Sequence, residues 1–98
     1  MKDVLYYNEL FDLYGELLTE KQRSYFKDYY FDNLSFSEIA NNNQVSRNNA
    51  FQQIHIITSK LVEYEEKLHL KSKKDKIYEI LEKAPRDIKN QIEGIISL

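Results

Sequence analysis

The chain has 98 residues, which allows one domain with a single core and leaves no room for a large enzyme cleft. Its formal net charge of -2 lacks the strong basic excess that a domain binding DNA by itself usually shows. With no cysteine and no run of about 18 apolar residues, the sequence predicts a cytoplasmic protein without a thiolate metal site or a membrane span.

The first segment, residues 2–17, has apolar residues at helical spacing. They are Leu5, Tyr6, Leu10, Leu13, Tyr14 and Leu17. Spacings of one, three and four predict an amphipathic helix, and Gly15 is expected to loosen its last turn. The charge over residues 1–18 sums to -3, from four carboxylates against Lys2. We therefore expect this helix to brace the core rather than to face phosphate.

The second predicted helix begins at a capping box formed by Thr19 and Gln22 and runs to about Phe31. Its sequence is rich in aromatic residues, namely Tyr25, Phe26, Tyr29 and Tyr30. Such a run can stack on nucleic-acid bases, but aromatic side chains at helical spacing belong more often to a core. We favour the core interpretation.

Two short helical patterns meet at a tight polar turn within residues 35–54, which read SFSEIANNNQVSRNNAFQQI. Ser35 and Glu38 form a second capping box, so a helix is expected to begin at Phe36. Ser46 is a good N-cap residue for the helix that follows. The alternative is a pair of neighbouring helices in an ordinary bundle.

The turn between these helices is predicted over residues 41–45, long enough for a sharp bend and too short for a loop. The helices should then cross steeply around the small Ala40, which predicts a helix-turn-helix motif. Many such motifs have a glycine at the turn, where this chain has Gln44. We expect Asn42 or Asn43 to adopt the left-handed conformation instead, because asparagine tolerates it best after glycine.

The helix after Ser46 does not stop where a minimal recognition helix would. A heptad seam continues through Ala50, Ile54, Ile57, Leu61, Tyr64 and Leu68, which predicts one helix of about twenty residues. This seam can pack within the chain or against a second copy. The sequence leaves these two alternatives open.

Residues 67–76, read KLHLKSKKDK, form the only basic cluster. They can contact RNA or DNA phosphates, or they can be a solvated linker whose next helix is capped by Ser72 and Asp75. A helical face then follows, and Pro85 is expected to begin a last helix. The apolar positions of these two helices are Ile77, Ile80, Leu81, Ile88, Ile92 and Ile95.

No catalytic or cofactor site is visible in the sequence, so we predict a non-enzymatic protein. His55 and His69 are the only histidines, and fourteen residues along one helix would place them about 21 Å apart. They cannot share a metal ion within one chain. The carboxylates alternate with lysines, as solvated helix faces do.

The polar residues at the start of the long helix are the candidate nucleic-acid site. They are Arg47, Asn48, Asn49, Gln52 and Gln53. A helix-turn-helix presents this end of its second helix to base edges, where arginine bonds guanine and asparagine or glutamine bonds adenine. A second candidate is a phosphate-binding strip of four lysines: Lys71, Lys73, Lys74 and Lys76.

Three stretches carry a resemblance to a known family. They read LLTEKQRSYFKDYYFDNLSFSEIA (Leu17 to Ala40), VSRNNAF (Val45 to Phe51) and LVEYEEKLHL (Leu61 to Leu70). Over roughly Tyr7 to Leu70 the chain resembles the YlxM-like family of small bacterial helix-turn-helix proteins, which itself looks like region four of sigma factors. It departs from the family pattern at Gln44, where a glycine is usual, and at His55 and Ile56, where a basic pair is common.

Genes of that family typically stand beside those for the signal recognition particle GTPase or its receptor. The resemblance therefore implies a regulatory or accessory role in co-translational targeting, with the GTPase, the particle's RNA or DNA as partners. The alternatives are a DNA-binding transcriptional regulator and a purely protein–protein module.

For the architecture, we predict an all-α helix-turn-helix bundle that forms a homodimer. It would be one domain over residues 1–98, with a core at 1–70 and a helical extension at 71–98.

Overall fold

A computed structural model describes residues 3–98, whose regular secondary structure is entirely helical. The helices are α1 (Val4–Tyr14), α2 (Glu20–Phe26), α3 (Phe36–Asn43), α4 (Arg47–Leu68), α5 (Leu70–Leu81) and α6 (Arg86–Ile96). A 3-10 turn, Gly15–Leu17, follows α1, and a π-helical turn, Lys27–Phe31, continues α2. The predicted all-α helix-turn-helix fold is confirmed. Lys2, the first residue of the first predicted helix, lies outside the described residues.

Two reciprocal capping boxes set the starts of α2 and α3, as predicted. The Thr19 hydroxyl accepts from the Gln22 amide at 3.1 Å, and the Gln22 side chain accepts from the Thr19 amide at 2.9 Å. Ser35 and Glu38 make the same exchange at 3.1 and 3.0 Å. Hydrogen bonds from the Ser35 amide and hydroxyl lower the pKa of the Glu38 carboxyl, because they favour its ionised form. Each box satisfies two amides that the first helical turn leaves unpaired.

The turn of the helix-turn-helix is shorter than predicted, because α3 continues through Asn43. The left-handed residue is Gln44 itself, with φ 56° and ψ 43°, so the expectation that Asn42 or Asn43 would adopt this conformation was wrong. The reason is the way α3 ends. The Val45 amide donates to the Ala40 carbonyl at 3.0 Å, a Schellman closure that requires the left-handed residue at position 44.

The core lies between α1, α2, α3 and α4, and the aromatic residues of the second segment belong to it. Tyr25, Phe26, Tyr29 and Tyr30 are all buried, which confirms the core interpretation. Phe26 stacks on Phe11 of α1, with ring centroids 4.3 Å apart. Burial in this cluster also raises the pKa of the Tyr29 and Tyr30 hydroxyls.

The long helix α4 is continuous over 22 residues, as predicted. The first four positions of its seam, Ala50, Ile54, Ile57 and Leu61, are fully buried in the core of one chain. A second copy cannot contact these four side chains, whereas Leu68 at the end of the seam is 45% exposed. The predicted homodimer stays a prediction, and its contacts would have to lie elsewhere on the chain.

The basic segment after α4 is not a linker. His69 alone, with φ 57°, separates α4 from α5, because one left-handed residue is enough to end a helix. The predicted capping pair was wrong: Ser72 lies inside α5, and Asp75 accepts from Lys71 at 2.6 Å instead. His69 therefore lies beyond α4, so the two histidines are not on one helix. Pro85 is the N-cap of α6, at the predicted start.

Residue contacts divide the chain into two compact units, one ending at Leu68 and the other running from His69 to Leu98. The first unit contains the helix-turn-helix and its core. The second contains α5 and α6. The predicted single domain, with its division into 1–70 and 71–98, stays a prediction.

Replacing Gln44 with glycine should stabilise the protein. A left-handed conformation costs a residue with a side chain about 1 to 2 kcal/mol, and glycine would remove that cost from the folded state. Glycine also raises the conformational entropy of the unfolded chain, which offsets part of the stabilisation. We expect Gln44→Gly to raise the free energy of unfolding by about 0.5 to 1 kcal/mol in urea denaturation. Asn42→Gly is the matched control, because Asn42 is an exposed residue inside α3, and it should lower stability by about 0.3 kcal/mol, the difference in helix propensity between asparagine and glycine. Equal losses in both variants would contradict the geometry of this turn.

Candidate nucleic-acid interface

The outermost side chains of the α4 start are Asn48 and Gln52. The Ser46 hydroxyl accepts from the Asn49 amide at 3.0 Å and caps the helix. Successive helical residues are about 100° apart, so Asn48 and Gln52 lie on the side opposite the buried stripe that includes Ile54. Both are exposed, and neither side-chain amide has a hydrogen bond within residues 3–98. These amides are therefore free to meet a ligand.

Arg47 lies on the side of α4 that faces α3. Its guanidinium is 5.7 Å from the centre of the Phe36 ring, within the range of a cation–π contact. Phe36 is itself held between Tyr29, stacked at 4.8 Å, and Phe51, edge-on at 5.3 Å. These rings thus support the guanidinium of Arg47 beside the exposed amides.

Asn49 and Gln53 lie on the other side of α4, where they line an open groove of about 330 Å³. The complete lining is Thr19, Lys21, Gln22, Tyr25, Val45, Asn49 and Gln53. The groove runs between the start of α2 and the start of α4. The predicted site residues Asn49 and Gln53 therefore share this groove with side chains from the start of α2.

The structure brings the five predicted residues to one end of α4 but distributes them over three sides. Sequence reasoning missed Phe36 as the support of Arg47, and it gave no binding role to Lys21 or Gln22. The Thr19 box fixes where α2 begins, yet no local signal shows which side of α4 this helix faces. The grouping depends on tertiary packing.

The four predicted lysines of α5 do not lie on a single side of the helix. At about 100° per residue, Lys71 and Lys74 lie on one side of α5, and Lys73 and Lys76 lie nearly opposite. Lys71 is partly buried and paired with Asp75, whereas the other three lysines are exposed. A nucleic-acid strand lying on one side of α5 would meet only one of these two pairs, and phosphate binding by the four lysines stays a prediction.

The remaining surface of the first unit is more acidic. A second groove, of about 440 Å³, is lined by Tyr7, His55, Thr58, Ser59, Val62, Glu63 and Glu66. Lys67 donates to Glu63 at 2.8 Å and lowers the pKa of that carboxyl. Among the residues described, no cluster of histidine or carboxylate groups could hold a metal ion. None of the described helices is long and apolar enough to cross a membrane.

Comparison with known proteins gives one family. The family model described as "UPF0122: Putative helix-turn-helix protein, YlxM / p13 like" matches residues 1–96. The UPF0122 protein of Halalkalibacterium halodurans is 45% identical over 84 residues, which cover 86% of this chain and 77% of that protein. The relative in Oceanobacillus iheyensis is 47% identical over 76 residues, covering 78% and 72%. In Shouchella clausii the identity is 50% over 66 residues, covering 67% and 61%.

The two sides of α4 should respond differently to truncation. Ile54→Ala removes a fully buried side chain, and we expect it to lower the free energy of unfolding by about 2 to 5 kcal/mol. Gln52→Ala removes an exposed side chain without an internal partner, so it should change stability by less than about 0.5 kcal/mol. Urea denaturation measures both. A large loss in Gln52→Ala would mean that this amide supports the fold and is not free for binding.

Proposed function

The chain belongs to the UPF0122 family of YlxM-like and p13-like helix-turn-helix proteins, and on this premise we propose that it is a non-enzymatic, cytoplasmic accessory protein of the signal recognition particle pathway. In this proposal it binds nucleic acid through the exposed start of α4. The observation that carries the binding function is the pair of free amides at Asn48 and Gln52, beside the supported Arg47.

The chemistry of these three side chains suits base edges. Asparagine and glutamine amides can bond adenine with two hydrogen bonds, and an arginine can bond guanine in the same way. Each good pair contributes about 1 to 3 kcal/mol of discrimination against the wrong base. The Ser46 cap and the buried stripe of α4 fix the helix that carries them, so little ordering is left to occur on binding.

The role in co-translational targeting rests on the family resemblance found in the sequence. The GTPase of the particle and its RNA are the proposed partners. On α5, one lysine pair, Lys73 and Lys76, is exposed and could contact RNA phosphates from one side of the helix. The other predicted lysines, Lys71 and Lys74, would face away from the same RNA strand.

The second candidate function is a DNA-binding transcriptional regulator, and the position of the amides favours it. The major groove of B-form DNA admits an α-helix, whereas that of an A-form RNA helix is too narrow for side chains to read. A duplex contact through Asn48 and Gln52 would therefore be with DNA. The accessory and regulator proposals differ in the nucleic acid that these residues meet.

A protein–protein module is the third candidate, and the net charge of -2 favours it. A basic protein surface would be attracted to the carboxylates of Glu63 and Glu66. The predicted homodimer would be one such protein–protein contact. Exposed apolar side chains available for a second copy are Leu68, Ile77, Ile80, Ile88 and Ile95.

Fluorescence anisotropy of the purified protein at two salt concentrations tests the proposal. The probes are the particle's RNA, the same RNA with its GTPase, and a duplex from the protein's own promoter. Salt-sensitive binding to the RNA supports the accessory role, and tight binding to the promoter duplex alone supports the regulator. Binding that appears only with the GTPase would make the motif a protein contact.

The variant Asn48→Ala with Gln52→Ala should abolish sequence preference on any duplex that binds, at a cost of about 1 to 3 kcal/mol per lost pair. The matched control is Ser59→Ala, which changes an exposed residue further along α4. The same competition experiment between promoter and random duplexes serves both variants. Unchanged preference in the double variant would remove these two residues from the site.

A further inference from the structure

The groove between α2 and α4 differs chemically from the rest of the surface. Its polar side chains are Thr19, Lys21, Gln22, Tyr25, Asn49 and Gln53, and every one of them can donate a hydrogen bond. No carboxylate lines it. In a chain with 16 acidic and 14 basic residues, a groove with a cation and no anion has a local charge opposite to that of the whole protein.

Two other grooves of the first unit show the contrast. The groove beside α1 includes the carboxylates of Glu63 and Glu66. The groove on the outer side of α2 is lined by Glu20, Arg23, Ser24, Lys27, Asp28 and Asp32. In this groove on the outer side of α2, the two cations lie among three carboxylates, which would repel an anion. Of these three grooves, only the one that contains Asn49 and Gln53 is lined by a cation and by no carboxylate.

The donors of this groove are available to a ligand. Lys21 is exposed and has no ion pair within residues 3–98, and the side chains of Asn49 and Gln53 have no hydrogen bond there. The oxygen of Gln22 accepts from the Thr19 amide at 2.9 Å. Since that bond occupies the oxygen, the NH₂ group of Gln22 is the part of the amide left to donate.

We propose that this groove binds a backbone phosphate of the nucleic acid whose bases meet Asn48 and Gln52. Lys21 supplies the charge, and the amides of Asn49 and Gln53 donate to the phosphate oxygens. The NH₂ group of Gln22 adds a third donor. The inference rests on the proposed function and deepens it, because it gives Asn49 and Gln53 a positioning role in place of the base contacts predicted from sequence.

The arrangement of these side chains on α4 fits a nucleic-acid strand that lies along one edge of the helix. Asn49 is about 100° around the helix from Asn48, and Gln53 is about 100° from Gln52. In this proposal Asn48 and Gln52 point outward, toward the floor of a nucleic-acid groove. Asn49 and Gln53 point sideways, toward its wall. Phosphates form that wall, and contacts with them fix the register of a protein on a duplex without reading its sequence.

The experiment measures the binding of the full chain to the promoter duplex and to a pool of random duplexes, by anisotropy between about 50 and 200 mM salt. Lys21→Gln should make the negative slope of log affinity against log salt shallower by about 0.9, the value of one phosphate contact. Its affinity should fall by the same factor for both probes. Lys27→Gln is the matched control, with the same charge change in the carboxylate-lined groove, and it should leave the slope unchanged.

A second variant separates the two roles of the amides. Asn49→Ala should weaken both duplexes equally, whereas Gln52→Ala should lower the ratio of promoter to random binding. Circular dichroism establishes that each variant is folded. If Asn49→Ala changes that ratio, or if Lys21→Gln has the slope of the wild type or behaves like Lys27→Gln, the groove is not a phosphate site and the proposed function stands. The particle's RNA is measured in the same series. If the wild type binds only that RNA, Lys21→Gln should weaken the binding and Lys27→Gln should not; if it binds neither duplex nor the RNA, both proposals fail together.

Discussion

Burial of the apolar stripe of α4 is the constraint on which the other features depend. Ala50, Ile54, Ile57 and Leu61 are fully enclosed by the side chains of α1, α2 and α3, and this fixes the rotation of α4 about its own axis. Once the rotation is fixed, Asn48 and Gln52 must face outward, because they lie opposite the stripe. The same rotation directs Arg47 toward α3 and Asn49 toward α2. The candidate interface is therefore a consequence of core packing.

The turn before α4 completes this arrangement at some conformational cost. Gln44 adopts a left-handed conformation that glycine would adopt without strain, and the Schellman closure between Val45 and Ala40 holds it there. The short turn brings Phe36 of α3 within contact of Arg47 and Phe51 of α4. A longer turn would separate the Phe36 ring from the start of α4, which carries the exposed amides. The proposed binding surface thus depends on a residue that contacts no ligand.

Much of this fold could be predicted from the sequence, because its signals are local. The boxes at Thr19 and Ser35 need only four residues each, and the seam of α4 repeats often enough to fix a long helix. Two predictions about where helices end and begin were wrong. The left-handed residue followed the hydrogen bonds that close α3 and not asparagine propensity, and one residue, His69, replaced a predicted linker. Likewise, Lys21 and Asn49 line one groove from two different helices, and no spacing in the sequence predicts that.

The central claim is that the exposed start of α4 is where nucleic acid binds. Separate titrations of the ¹⁵N-labelled protein with its promoter duplex and with the particle's RNA test this claim, because the backbone and side-chain amide signals in NMR spectra report which residues are contacted. With the nucleic acid that binds, we expect the largest shifts at the side-chain amides of Asn48 and Gln52 and at residues around Arg47, with little change along α1. Shifts confined to the acidic groove of Glu63 and Glu66, or no shifts at all, would contradict it.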